Sequence, residues 1–384
     1  MMYTYKMDKV CGIITEYNPF HNGHLFHFEQ SKKITGADAV IAVMSGNFVQ
    51  RGEPAIVGKF ARTRMALLCG VDMVLELPVV YATASAEGFA AAACRLLAAT
   101  NIVDSICFGS EVGEIEPLWA IARHLCNESA DFKRILRDNL ARGASFPAAR
   151  AAALKSTFGS DAKIINTPNN ILGVEYLKAI INHRLPLAAY TIKRQGATHN
   201  SDDFLVGSAS AGAIRKFIQQ GGDMDKLSPL MPKASFDIFR DEPPNCLDNF
   251  SPFFHYALHN APTGISSRLI AAAKQHYLIS DVLAAAKTKN VTHSALQRAV
   301  VRLVLNIRNN PLDITYIRVL GFRREKESLL RHLHALAALP VITNIKYARE
   351  MLEMEIDASK IYRLGLKANG VSEINELAVP MVIT

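Results

Sequence analysis

The first 110 residues repeat one pattern. A short apolar, β-leaning run ends in a turn, and a stretch of helical character follows. The runs are Lys9 to Thr15 (KVCGIIT), Ala39 to Met44 (AVIAVM), Val71 to Leu77 (VDMVLEL) and Ser105 to Phe108 (SICF). The helical stretches between them are Leu25 to Thr35, Lys59 to Leu68 and Ser85 to Ala99. Strands alternating with helices predict an α/β fold built on a parallel sheet. The alternation resumes with a helix over Ile171 to Asn182, a strand over Ala188 to Lys193 and a helix over Ala211 to Gln220.

The character changes near Gly221-Gly222. Ser228 to Pro252 is rich in proline and aspartate, and Phe253 to Leu339 reads as helical. Basic residues recur there: Arg298, Arg302, Arg308, Arg318, Arg323, Arg324, Lys326 and Arg331. The expected division is a catalytic α/β domain over 1–225 and a mostly α-helical, basic C-terminal domain over 226–384. Lys and Arg exceed Asp and Glu by 43 − 35 = 8, an excess that suits a polyanion such as RNA or a nucleotide. Charged residues are only 20% and hydrophobic residues 49%, which excludes a disordered chain. The six cysteines form no CxxC pair, so neither a zinc knuckle nor a disulfide framework is indicated. The longest apolar region, Val71 to Thr100, is broken by Asp72, Glu76, Pro78 and Glu87, so no membrane span is expected. The opening MMYTYKMDKV has no long apolar core, and a cytoplasmic protein is expected.

The stretch GIITEYNPFHNGHLFHFEQSKK holds the chemistry. In a parallel α/β sheet, the loop after a strand lies at the carboxyl edge, where ligands bind. The helix that follows presents free N–H groups and a positive dipole end to phosphate. His21 and His24, three residues apart at that turn, can face one ligand. Histidine donates N–H bonds to phosphate oxygens and can gain charge as the leaving group does. Gly23 permits close approach of the backbone, and Pro19 fixes the turn before the helix.

His21-Asn22-Gly23-His24 resembles the HxGH signature of the nucleotidyltransferase superfamily, which implies a Rossmann-like parallel sheet. The longer string TEYNPFHNGHLFH, with SGNFVQRGEPA (Ser45 to Ala55) and DMVLELP (Asp72 to Pro78), resembles the bacterial tRNA(Met) cytidine acetate ligase family. That resemblance implies an ATP-dependent enzyme that activates acetate and acetylates N4 of the wobble cytidine of elongator tRNA(Met). It makes His21 and His24 the catalytic pair. It extends the ATP contact over the whole run of Ile14, Thr15, Glu16, Tyr17, Asn18, Pro19, Phe20, His21, Asn22, Gly23, His24, Leu25, Phe26 and His27. It adds Gly109 after the fourth strand, an asparagine of Asn169-Asn170, with Asn169 preferred, and Arg194 at a strand end. GSASAGAIRKF (Gly207 to Phe217) resembles the second phosphate motif of the superfamily, in which Ser210 caps a helix and Arg215 meets the phosphates. Gly212 stands where threonine is expected.

Beside this, the residues alone leave plainer readings open. Arg51 supplies a cation without an assigned partner, and Lys59 and Arg62 either touch nucleotide or RNA or lie on a solvated face. Arg298, Arg302 and Arg324 are the arginines proposed for RNA contact. Mg²⁺ is expected to accompany ATP, with no metal site supplied by the protein. Acetate and tRNA are the expected partners, with no obligate protein partner. No nucleophile elbow indicates an acyl-enzyme, so direct transfer from an adenylate is the simpler route. Two rival functions share these motifs. One is a nucleotidyltransferase acting on a small phosphorylated metabolite; the other is an RNA-binding protein with a relict nucleotide site.

Overall fold

The computed structural model describes residues 9–194, 209–260, 266–289, 291–308, 313–367 and 376–384. Its frame is a mostly parallel sheet. Among the described residues, five strands carry the α/β pattern, β1 (Val10–Thr15), β2 (Ala39–Ser45), β5 (Met73–Leu77), β6 (Ser105–Ser110) and β7 (Ala188–Lys193), while the short β3 (Phe48–Val49) and β4 (Glu53–Pro54) form a separate hairpin. The helices among them are α1 (Asn22–Thr35), α2 (Lys59–Leu68), α3 (Val79–Ala82), α4 (Ala86–Ala99), α5 (Ile115–Cys126), α6 (Ala130–Ala141), α7 (Phe146–Phe158) and α8 (Pro168–His183). α9 (Ala211–Gln219) follows β7. β5, β2, β1, β6 and β7 lie side by side in that order and run parallel. From β1 the chain moves to β2 on one side; from β5 it returns to β6 on the other. The β1–β6 junction is thus a topological switch point, where sheets of this kind take ligands in a crevice at the carboxyl edge.

Local sequence explains the close layering. Gly12, in the middle of β1, lies under Leu97 of α4; a Cβ on it would stand 2.7 Å from a Leu97 methyl. A larger residue would push the helix off the sheet. α1 stops at Gly36, which takes φ +62, the left-handed conformation that ends helices most readily.

Beyond residue 225 the chain is rich in helices, as expected: α10 (Lys233–Asp241), α11 (Ser251–His259), α12 (Ser267–Ala273), α13 (Ile279–Ala286), α14 (His293–Val304), α15 (Glu327–Leu336) and α16 (Glu353–Lys367). Three strands also occur: β8 (Ile317–Phe322), β9 (Val341–Ile342) and β10 (Val382–Ile383). They do not make a second sheet. β8 pairs antiparallel with β5, with Met73 opposite Phe322, and β9 and β10 flank β8. One buried cluster joins Val43 and Phe89 to Phe250, Val300 and Leu333. Another joins Ile13 and Met65 to Phe239 and Leu320. The expected boundary near 225 thus separates neither sheet nor core.

A buried ion network closes the join. Lys59 Nζ lies 2.7 Å from both Glu76 and Glu376, and Arg318 reaches the same two carboxylates at 2.7 and 2.8 Å. Burial alone would raise the Glu376 pKa, but Lys59 and Arg318 outweigh it and hold the carboxyl well below its usual range. None of the described helices is long and apolar enough to cross a membrane. All six cysteines are free thiols.

Candidate active site

The crevice is built from the ends of β1, β2, β6 and β7. The β1–α1 loop enters it through Tyr17 at φ +48 and a cis Asn18–Pro19 bond. α1 begins three residues earlier than the sequence suggests, at Asn22, because histidines do the capping. His21 Nδ1 accepts from the Gly23 backbone N–H at 3.0 Å, and His24 Nδ1 accepts from the His21 N–H at 3.3 Å. This is a capping box with imidazoles in place of the usual hydroxyl and carboxylate. Its chemical consequence is a fixed tautomer. With Nδ1 accepting on both rings, each neutral imidazole carries its proton on Nε2 and presents an N–H donor.

The rings are neutral. Burial, then the charges of Arg194 and Arg215, push the His21 pKa down to about 3. Burial and the neighbouring His21 hold His24 well below its ordinary value, and burial and Arg194 bring His27 to about 4. With their pKa values held this low by burial and the neighbouring charges, the rings are uncharged donors near neutral pH. The two rings lie 4.0 Å apart between centroids, close enough to serve one anion.

Much of the Ile14–His27 run is structural. Tyr17 and Phe20 are fully buried, and Leu25 and Phe26 pack on the second core. Asn18 Oδ1 accepts from the Ile56 N–H at 2.7 Å, and Asn22 Nδ2 donates to the Pro229 carbonyl at 2.9 Å. Ile14 and Thr15 end β1.

On the β6–β7 side, Gly109 and Arg194 come together. A Cβ on Gly109 would meet Arg194 Cγ at 3.0 Å, so the arginine lies across that glycine. Arg194 also depresses all three histidine pKa values, which places its charge over the same crevice. Asn169 and Asn170 begin α8, but neither is a simple cap. Glu111 occupies that helix start. Its carboxylate accepts from Asn169 Nδ2 at 2.6 Å, from the Asn170 N–H at 2.8 Å and from Thr167 Oγ1 at 2.9 Å. The buried Asn170 returns two bonds, accepting at Oδ1 from Glu111 and Val112 N–H. Asn169 is thereby the more exposed of the pair and Asn170 the internal strut. Glu111 had no role in the sequence reading. Its partners stand 56 to 59 residues away, and only the fold joins them.

Ser210 caps α9, accepting from the Ala213 N–H at 3.2 Å. Arg215 is buried and already engaged. It donates to the Asn18 carbonyl at 2.8 Å and pairs with Glu53 at 2.6 Å. Its charge still reaches His21. Gly212 follows the cap with open space beside it. Residues 195–208, including Gly207 and Ser208 of that motif, lie outside the described residues.

The basic residues between and beyond these motifs divide sharply. Lys59 and Arg62 are fully buried, which removes both a nucleotide and a solvated-face role. Arg62 gathers the carbonyls of Val57, Glu16, Ser45 and Gly46, bracing the loops after β1 and β2. The stretch after β2, up to Ala55, folds as the β3–β4 hairpin. Its Gly52, at φ +81, meets the α14 backbone so closely that a Cβ would stand 2.3 Å from Arg298 N. Arg298 and Arg302 are half-buried at this join and donate to the Gln50 and Val80 carbonyls at 3.4 and 3.0 Å. Arg324 is exposed, but it follows β8 at the amino edge of the parallel strands, opposite the crevice. Arg298 and Arg302 share the α14 join, and Arg324 lies apart from them at the opposite edge of the sheet.

A Rossmann-type sheet with paired HxGH imidazoles at its switch point defines a nucleotidyltransferase. The family described as HIGH Nucleotidyl Transferase matches residues 8–376. A tRNA(Met) cytidine acetate ligase of Caldanaerobacter subterraneus subsp. tengcongensis is 39% identical, covering 96% of this chain and 98% of that protein. One from Caldicellulosiruptor saccharolyticus is 40% identical over 94% of each. The crystal structure of Thermotoga maritima TmcAL bound with alpha-thio ATP superposes with a TM-score of 0.89 at 32% identity, covering 98% of this chain and 99% of that one. The chain belongs to the tRNA(Met) cytidine acetate ligase family.

Proposed function

We propose that this protein is an ATP-dependent ligase that joins acetate to N4 of the wobble cytidine of elongator tRNA(Met), giving N4-acetylcytidine. The observation that carries the reading is the pair His21 and His24. Each is locked by its Nδ1 bond so that an Nε2 donor remains, and each stands at a helix start beneath Arg194 and Gly109. Such a group stabilises charge developing on a triphosphate without changing its own charge. In the first step an acetate oxygen attacks the α-phosphorus of ATP and pyrophosphate leaves. Arg194, the free N–H groups of α1 and the two imidazoles offset the charge on the phosphates. The product is acetyl-adenylate. In the second step cytidine N4 attacks the acetyl carbonyl and AMP departs. The site must keep the anhydride from water until RNA arrives, and the base must leave its stack to reach it.

Asn169, held by Glu111, stands on the Gly109 side and is assigned to the nucleotide. The region beyond residue 225 is assigned to tRNA, since its helices lie against the hairpin at the crevice rather than apart from it. Mg²⁺ with ATP would be held by the triphosphate and water: among the described residues no three His, Cys, Asp or Glu side chains cluster to take a metal. No step above runs through it. ATP, acetate and tRNA meet in the cytoplasm, and no protein partner enters the scheme.

The test is RNA mass spectrometry after incubation with ATP, acetate and bulk tRNA. One acetyl group on a cytidine of elongator tRNA(Met) is expected. Pyrophosphate–ATP exchange separates the alternatives. Exchange that needs acetate supports the ligase; exchange that needs another acceptor supports a metabolite nucleotidyltransferase; no exchange supports a relict site.

A further inference from the structure

The transfer step requires a proton acceptor. Cytidine N4 is a weak nucleophile because its lone pair is delocalised into the ring, and it must lose a proton as the amide forms. The two catalytic histidines cannot take it in the form observed, since Nε2 is protonated and Nδ1 is occupied by backbone N–H. Among the side chains at this edge, the carboxylates are the groups suited to accept it.

Three stand there, in different states. Glu111 is saturated at the start of α8. Burial would raise its pKa, but the bonds from Asn169, Thr167 and Asn170 prevail and hold it below the ordinary value, so it is a poor base. Glu53 is held by Arg215 at 2.6 Å. Glu16 differs from both. It is the first residue past β1, five before His21, and it is half-buried. One oxygen accepts from the Gln50 N–H at 2.9 Å. The other has no hydrogen-bond partner among the described residues.

Its direction also matters. Gly109, Arg194 and Asn169 lie on the β6–β7 side of β1. The Gln50 bond turns the Glu16 carboxylate to the other side, towards the β3–β4 hairpin. That hairpin is the part of the crevice that α14 of the C-terminal region touches. The crevice thus has a nucleotide half and an acceptor half, and Glu16 is the carboxylate of the acceptor half.

Resting on the ligase reading above, we propose that Glu16 is the general base of acetyl transfer. As N4 attacks the acetyl carbonyl, the C–N bond forms and the N4 proton passes to the free Glu16 oxygen. The bond from the acetyl carbon to the AMP phosphate oxygen breaks, and its electron pair leaves with AMP. The titratable groups facing Glu16 are Arg51 and Arg215, which favour the carboxylate, Glu53, which disfavours it, Arg62 of α2, whose guanidinium donates to the Glu16 carbonyl, and Tyr176 of α8. Burial is the largest influence, and the net effect raises its affinity for a proton. That is the direction a base working near neutral pH needs.

The experiment compares two ways of discharging the adenylate. Hydroxylamine is a stronger nucleophile that captures acetyl-adenylate as acetohydroxamate without an enzyme base. In Glu16→Gln, single-turnover transfer to tRNA should fall at least about a hundredfold further than hydroxamate formation does, the usual size of a lost general base. Wild-type transfer should slow on the acid side as Glu16 protonates, and that limb should vanish in Glu16→Gln. Glu16→Asp, which keeps a carboxylate one methylene shorter, should recover part of the transfer. A parallel fall of both reactions, or transfer at the wild-type rate, overturns the assignment. If Glu16→Gln does not fold, the acid limb decides: a limb with the same midpoint in wild type and Glu16→Asp overturns it. Wild-type enzyme that forms no acetate-dependent hydroxamate would instead overturn the ligase reading.

Discussion

The β1–α1 loop and helix α14 both drew attention through their side chains, and the structure treats them in opposite ways. In the loop, His21 and His24 use Nδ1 to hold the backbone, and the reading proposed above gives Nε2 to the phosphates. In α14, Arg298 and Arg302 direct their guanidinium groups to carbonyls of the hairpin and of α3. The difference lies in what makes each pattern. A helix start must satisfy its own N–H groups, so residues a few positions apart define the site and its chemistry together. A run of basic residues has no such local constraint. The same arginine serves a phosphate or a buried carbonyl, and sequence spacing does not distinguish them.

Arg318 gives the largest expected effect on this contrast. It lies in the C-terminal region yet holds Glu76 of β5 and Glu376 inside the joint core. Arg318→Ala leaves two buried carboxylates with only Lys59 between them, and should destabilise the whole protein by about 3–5 kcal/mol. Urea unfolding, followed by the single Trp119 and by far-UV circular dichroism, should give one shifted transition. Two transitions, with only one moved, would restore a separate C-terminal domain.

Next come the histidines. His21→Ala or His24→Ala should cut acetate-dependent pyrophosphate exchange by about a hundredfold or more, the usual loss for one charge-stabilising donor. The capping bonds add a second expectation that sequence alone did not supply: each variant should lose about 1 kcal/mol of stability. Exchange at near wild-type rates would remove these rings from the phosphates. A loss of stability without a loss of exchange would make the capping box their only purpose.

The arginines test the other half of the comparison with a smaller effect. Arg302→Ala should cost about 1 kcal/mol through its lost bond to Val80 and leave the salt dependence of tRNA binding as it was. Arg324→Glu, at an exposed position, should change stability by less than about 0.5 kcal/mol. If tRNA reaches the amino edge of the sheet, Arg324→Glu should also lower the slope of log affinity against log salt by about one. An unchanged slope removes Arg324 from the RNA path, and a changed slope for Arg302→Ala would return α14 to it.

These contrasts mark what the sequence made legible. The alternation that builds β1, β2, β5, β6 and β7 follows from apolar runs and turns, and each expected strand is present within a few residues, whereas α5, α6, α7 and the β3–β4 hairpin were not read. α3 was absent from that reading because four residues carry no helical period. β8 was missed because its pairing with β5 spans more than 240 residues, and no local pattern announces an antiparallel strand inserted beside a parallel set; the two-residue strands β9 and β10 exist only by pairing with β8. In the site, Gly109 and Arg194 were legible from motif and strand ends. Glu111 and the burial of Arg62 were not, because each depends on loops brought together only in the fold.

Gly212→Thr has the smallest expected effect and bears on the one departure from the family pattern. Gly212 stands at the second position of α9, directly after the Ser210 cap bond to Ala213. A Cβ there would meet only Ser210 Oγ, at 3.7 Å, an ordinary contact, and its φ lies outside the left-handed range. A β-branched residue is therefore tolerated, and loss of the flexible glycine favours the helix by a few tenths of a kcal/mol. The neighbouring cation does not await a hydroxyl, because Arg215 is already fixed by Glu53 and the Asn18 carbonyl. The Michaelis constant for ATP should accordingly change by less than about tenfold, or 1.4 kcal/mol. Steady-state exchange kinetics on the folded variant measure this directly. A gain of orders of magnitude in turnover would mean that the natural site lacks a phosphate contact that threonine restores. The α9 start would then belong to the catalytic half of the comparison, beside the β1–α1 loop, rather than to the frame that supports it.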